Sequence, residues 1–527
     1  MNHLNMKKRN AATATRILLV VVAVVALLLA ASAHAAVPGI KGSSFALSAS
    51  DGYSSQPDGG LIYSWGYSCA GSNPTFVPFT PDPAFPNAGC PPMQLPGPTL
   101  IVTEGQLVTV TLTNHLPAAV GNTSIIFAGF QVMASGGVTG LLTNEAQPGG
   151  TAVTYTFTPT APGTHAYYSG TKPDLQIEMG LYGAVVVLPA TPAANCLGIG
   201  TNPQLQGRHD FRLSTSAYDN TATCYDREYL FQWGEMDPKI HRQAEEQVRA
   251  AQAVSTTAPA PLNVRTEPYH PSYFVINGRS MPDDMDANYA PNYPNQPYNG
   301  NPHMHPGDLV LIRVIGQGRF QHPFHEHGNH VRILGRDGNL ILVQGTTNPA
   351  TGLLAGRMEF TTDTTPGQAF DGIFYWSGKG LGWDIYGHKS GDGSTCTPNA
   401  NGYDTTGSAT SIYYEWCADH DHSLEANPVG NVGGGGPATL PDPLIATNGA
   451  WYNGTPYLGP DAVNNSRGPT PLPPGGVALQ NPPEESGIAF MWHSHNEREI
   501  TTNDLFPGGM LMMMLVDPPV FPIDETL

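Results

Sequence analysis

The sequence predicts an all-β protein built from two β-sandwiches, the second interrupted by a long loop-rich insertion. Three observations predict it. Glycine (60) and proline (50) are abundant, while charged residues make up only 12% and apolar residues a normal 40%, so the chain is rich in turns yet able to form cores. Apolar residues alternate with period two in several short runs bounded by turn residues, and helical periodicity is almost absent. A stretch of about a hundred residues, from roughly Ser377 to Pro483, is dominated by Gly, Asn, Pro and Tyr, and a loop that long is an insertion or a functional element.

The N-terminus reads as a secretory signal over residues 1–35: "MKKRN", an apolar core "ILLVVVAVVALLLAA", and a small-residue site at Ala33–Ala35. Its removal takes away Lys7, Lys8, Arg9 and Arg16 and no acidic residue, so the net charge of −19 becomes more negative still. Such a surface disfavours nucleic acid and anionic lipid and suits cations. No other segment is apolar and long enough to span a bilayer. The expectation is an exported protein of a periplasm, a cell surface or the medium, bacterial from the style of its signal.

The first sandwich is expected over 36–190. In "GPTLIVTEGQLVTVTLTNHLP", Val108, Val110 and Leu112 share one face and Thr109, Thr111 and Thr113 the other. "TAVTYTFTPTAPGTHAYYSG" and "GLYGAVVVLP" continue the pattern. A linker over 191–224 follows, then a second β region over 225–527 with the insertion at about 377–483. Early in it Asp237 can cap a short helix with Pro238 at its first position and Ile240, Ala244 and Val248 on its apolar side. Six cysteines form three local couples, Cys69 with Cys90, Cys196 with Cys224 and Cys396 with Cys417. Export favours disulfides between them, although six cysteines allow 15 connectivities.

The chemistry concentrates in "HPFHEHG" (322–328) and "HSH" (493–495). Alternate residues of a strand share a face, so His325 with His327, and His493 with His495, each present two imidazoles on one side, with His322 three residues before the first pair. Five histidines in one sandwich can converge on a metal ion, for which imidazole suits copper, zinc, nickel or iron. Weaker candidates are His303 and His305 in "PHMHPGD", expected in an exposed loop, the run Asp419, His420, Asp421 and His422, and the methionines Met510, Met512, Met513 and Met514, which fit core filling better than thioether ligation. No nucleophilic triad, phosphate loop or paired catalytic carboxylate stands out.

"HPFHEHG" resembles the His-Pro-x-His-x-His-Gly pattern of the multicopper oxidases, and "HSHNEREITTNDLFPGGM" their closing His-Cys-His-x-x-x-His…Met segment. "PGPTLIVTEGQLVTVTLTNHLP" and "EMGLYGAVVVLP" resemble the start and end of the family's first domain. The resemblance covers most of 95–190 and 225–345, plus 486–518. It implies two cupredoxin-like Greek-key sandwiches, with the middle domain of three-domain members missing.

The resemblance also implies a type 1 copper and a trinuclear copper cluster, and here the sequence departs from the pattern. Of the type 1 ligands, His322 matches the first histidine and Met510 the methionine, but Ser494 stands at the cysteine and Glu499 at the second histidine. Serine supplies no soft thiolate, so a blue copper centre is not expected. Of the cluster's four His-x-His pairs, the second-domain half survives as His325, His327, His493 and His495. In the first domain Ile126, Ala128, Tyr168 and Gly170 occupy ligand positions, and His165 lies out of phase with Tyr168. Ser494 is expected to face away from the imidazoles in a hydrogen bond, with Tyr168 and Glu499 as candidate neighbours of the metal.

The expectation is an exported copper-binding protein with a reduced histidine site and limited or no dioxygen reduction, copper being favoured over zinc and whether it is an enzyme left open. Two alternatives stand beside it. One is an active copper-dependent oxidase of phenols or metal ions, completed by a neighbouring subunit of a homo-oligomer or by His420 and His422. The other is a non-catalytic surface or matrix scaffold.

Overall fold

In the computed structural model the residues described are 37–71, 74–78, 81, 89–196, 210–257, 259–305, 307–376, 397, 399, 488–516 and 523. The expected signal segment, almost all of the insertion, the Cys396–Cys417 couple and the Asp419–His422 run lie outside them. Among the described residues, strands dominate, as the composition predicted, and no helix is long and apolar enough to cross a membrane.

The first sandwich packs a six-stranded sheet, ordered Phe76–Val77, Gly39–Lys41, Leu100–Thr103, Tyr182–Leu188, Gly163–Tyr168, Ile126–Phe127, on a five-stranded one, ordered Leu61–Cys69, Ser44–Ser55, Val108–Asn114, Val153–Phe157, Met133–Gly136. The Val108–Asn114 strand alternates as its sequence dictates. Val108, Val110 and Leu112 are fully buried in the core while the three threonines between them are half-buried. Disulfides join Cys69 to Cys90 and Cys196 to Cys224, two of the three local couples.

The second sandwich pairs a seven-stranded sheet with a five-stranded one. The first contains Tyr273–Ile276, Arg227–Met236, Leu309–Gly316, Ala369–Tyr375 and Val331–Arg336 in that order, and the second runs His303–Met304, Leu511–Val516, Ile488–Ser494, His322–Glu326, Thr361–Thr364. Tyr229, Phe231, Trp233, Phe324, Phe490, Trp492, Met510, Met512 and Met514 fill the space between the two sheets.

Arg227–Met236 is buried along its whole length because its other face is covered by the first sandwich. Leu230 packs with Ile101, Ala166, Ala184 and Val186, and Met236 with Leu95 and Tyr182. Within this interface Arg313 bridges Glu228 (3.0 Å) and Asp371 (3.5 Å), and Asp371 also accepts hydrogen bonds from Thr164 and Tyr218. The two domains therefore meet through the seven-stranded sheet, leaving the five-stranded sheet on the far side.

The helix spans Pro238–Val254, longer than expected, with the Asp237 side chain accepting from the Lys239 amide. Ile240, Ala244 and Val248 are buried as predicted, but they join the core of the first sandwich, beside the Leu61–Cys69 strand. The helix thus belongs in space to the domain that precedes it in sequence.

Candidate metal centre

Two adjacent strands carry the histidines. His322–Glu326 pairs antiparallel with Ile488–Ser494 so that Phe324 lies opposite Ser494, His325 opposite His493 and Glu326 opposite Trp492. Burial alternates along the first strand: His322, Phe324 and Glu326 are buried while Pro323 and His325 are half-buried. Phe324 and Trp492 point into the core, so by alternation the imidazoles of His325, His327 and His493 stand on the outer face of the sheet. That face lies opposite the first domain.

On this face four imidazoles converge. Ring centroids are 4.7 Å apart for His325 and His327, 5.2 Å for His327 and His493, 4.9 Å for His325 and His495, and 5.6 Å for His493 and His495. Among the described residues, His325, His327 and His493 form the group whose potential ligand nitrogens all lie within 4.8 Å of one another. His327 Nε2 and His493 Nε2 are 3.2 Å apart. His495 is the most open of the four, its side chain 52% exposed and its Nδ1 3.3 Å from Glu497.

The electrostatics keep these rings unprotonated. Burial, and then the neighbouring imidazoles, push His325 down to about 3 and His327 down to about 4, and burial lowers His493 as well. These rings are neutral at pH 7 and present lone pairs, the form a metal ion requires. They are also oriented from behind: His325 Nδ1 contacts Thr361 Oγ1 at 2.7 Å, His493 Nδ1 contacts the Ser494 carbonyl at 2.7 Å, and Trp492 Nε1 donates to the His327 carbonyl at 3.0 Å. Such partners fix ring rotation and tautomer.

His322, the fifth histidine of the expected set, stands apart from this group. It is fully buried with Nδ1 2.8 Å from Glu499 and Nε2 3.0 Å from Glu235. Burial would lower its pKa, but hydrogen bonds and charge from both carboxylates outweigh that and hold the imidazolium up to about 9. A protonated ring with both nitrogens engaged has no lone pair for a metal. Ser494 Oγ donates to the same Glu499 carboxyl at 2.5 Å, and Met510 is buried, its amide bonded to the Glu499 carbonyl. The four residues that align with type 1 ligands thus meet around a proton-bearing ion triad.

This settles what Ser494 does between two histidines: its hydroxyl belongs to the triad and its carbonyl orients the His493 ring. Sequence reasoning missed Glu235 and Thr361, since neither stands in a metal-binding pattern. Glu499, a candidate neighbour of the metal, contacts His322. Tyr168 packs near the Gly367 turn at the domain interface, and His165 is buried against Phe130. His303 and His305, expected in an exposed loop, are both buried, with His305 hydrogen-bonded near Arg227 and Asp308. Met510, Met512 and Met514 are core residues.

Residues 92–192 match the family model described as multicopper oxidase. Over 99 residues the chain is 38% identical to laccase abr2 of Aspergillus fumigatus, a match that spans 18% of this chain and 16% of the laccase. Solved structures with a similar course include a blue copper oxidase from Nitrosomonas europaea, at TM-score 0.43 and 14% identity over 90% of this chain and 85% of that one. Another is the multicopper oxidase mgLAC, at TM-score 0.42 and 15% identity over 92% and 88%.

Proposed function

We propose that the protein, whose residues 92–192 match the multicopper oxidase family model, is an exported copper-binding member of that family, with one reduced histidine centre and little or no capacity to reduce dioxygen. The observation that carries this reading is the cluster of His325, His327 and His493, with His495 beside it, on a face turned away from the first domain. The donor set fits copper: the neutral imidazoles of His325, His327 and His493, with His495 beside them and no thiolate in the group. Copper held by these residues would supply one-electron redox chemistry.

The chain's own residues set the limits. Thr361 and the Ser494 carbonyl hold two rings in place. Ile126, Ala128, Tyr168 and Gly170 offer no imidazole from the first domain. Ser494 offers no thiolate path for electrons, and His322 is held protonated between two carboxylates. Export is supported by the signal-like N-terminus and by two disulfides, which persist in oxidising compartments.

The test is elemental analysis of protein exported by cells given both copper and zinc, with oxygen uptake measured alongside. About one copper per chain, lost in His325→Ala and His493→Ala, with no oxygen uptake above background, is the expected result. Zinc in place of copper, or no metal, would overturn the copper reading. Copper-dependent oxygen uptake would overturn the claim of lost oxidase function.

A further inference from the structure

The strands that carry the imidazoles on the outer face are joined on the inner side by the His322 triad. Glu235 reaches in from the Arg227–Met236 strand of the opposite sheet and contacts His322 Nε2 at 3.0 Å, while its other oxygen accepts from the amides of Arg319 (2.7 Å) and Phe320 (2.8 Å) and from Tyr269 (3.1 Å). Glu499 contacts His322 Nδ1 on one side. On the other it takes the Ser494 hydroxyl and, through its second oxygen, Asn496 Nδ2 at 2.8 Å. The Ser494 hydroxyl in turn accepts from the Asn496 amide at 3.2 Å. The His495 amide donates to the Pro323 carbonyl at 2.8 Å, one residue from His322. The backbone of the turn that carries His495 is thus tied to the triad, while its exposed ring meets Glu497 and the imidazoles of His325 and His493.

We propose that Glu499 and His322 are positioning residues: the buried Glu235–His322–Glu499 triad fixes the turn from Ser494 to Glu499 and so sets His495 as the fourth imidazole of the centre. Buried ion pairs contribute little net stability against apolar replacements, and their best-attested use is to select one register or arrangement. Here the arrangement selected is the turn from Ser494 to Glu499, which carries His495 just beyond the end of the paired strand. The His495 ring is exposed and its carboxylate neighbour Glu497 is exposed too, so the course of the turn sets where the ring stands. Outer partners of a ligand of this kind typically alter metal affinity by about ten- to a hundredfold.

The part of this inference that concerns copper rests on the proposed metal site, and the experiment separates the two. Amide hydrogen exchange is measured on the metal-free full chain for wild type, Glu499→Gln and Glu235→Gln. Copper(II) affinity and the nitrogen hyperfine pattern are measured on the same proteins. Faster exchange at His495 and Asn496 in both variants, by about tenfold or more, with unchanged exchange in the first sandwich, is expected. Copper binding should weaken by about ten- to a hundredfold and the hyperfine pattern should lose one nitrogen. Unaltered exchange at His495 in a folded variant would overturn the positioning role. Should Glu499→Gln fail to fold, Glu235→Gln, which alters the triad without touching the turn, decides alone. A wild type that binds no copper would sink the metal reading and leave the exchange comparison to decide whether the triad holds the turn.

Discussion

Replacing His322 with glutamine removes the positive centre of the buried triad and leaves Glu235 and Glu499 facing a neutral amide. The imidazole shifts from 6.5 to about 9, roughly two and a half pH decades, and at 1.36 kcal/mol per decade this corresponds to about 3 kcal/mol of stability. The sign follows from protonation: the folded protein holds the proton more tightly than the unfolded chain. The contribution is therefore fully present below pH 6.5 and is lost as pH rises through about 9. The groups facing the ring are the carboxyls of Glu235 and Glu499, with the Trp233 ring 6.4 Å away and Thr364 Oγ1 bonded to the His322 backbone. Urea unfolding of wild type and His322→Gln at half-unit steps from pH 6 to pH 10 measures the difference directly. The stability gap should be about 3 kcal/mol at pH 6 and close to zero at pH 10. A gap that stays constant over that range would refute the assignment of the proton to His322.

Three further outcomes follow from the same physics. Glu326 is fully buried with no partner for either carboxyl oxygen among the described residues, and burial raises its pKa well above the ordinary 4.5; the unfolded chain releases that proton more readily, so Glu326→Met should raise the melting temperature, and more at pH 8 than at pH 5. Arg313→Met strands Glu228 and Asp371 in the domain interface and should lower stability by about 3–5 kcal/mol in chemical denaturation, whereas replacing all three together with apolar residues should recover most of it. Asp237→Ala removes the helix cap, and with it the bond from the His270 amide, so a loss of about 1–2 kcal/mol is expected, read as earlier exchange of the Lys239 amide.

The strands were legible where one face of a sheet is buried and the other is wet, as in Val108–Asn114, because period two is then written directly into the residues. The same signal announced the paired histidines and the side on which each pair points. It failed where burial is two-sided. Arg227–Met236 is covered on both faces and shows no alternation, so nothing in it marked Glu235 as a partner for His322. The helix after it was visible from its cap and apolar stripe, yet a stripe does not say which core it covers, and it covers the earlier one. His322 and His325 look alike in sequence because they share a segment, and three residues along a strand reverse the face. One ring therefore points inward to two carboxyls and the other outward. Ser494 could be read as facing away from the imidazoles, but its partner Glu499 arrives through a turn whose geometry no periodicity encodes.

The most direct test of a reduced outward-facing centre is a crystal grown with copper and measured on both sides of the copper absorption edge. One anomalous peak among the free nitrogens of His325, His327 and His493, with His495 as a fourth neighbour and no density between His322, Ser494 and Glu499, is the expected map. A peak beside Ser494 and Met510, or several coppers bridging the two domains, would contradict it.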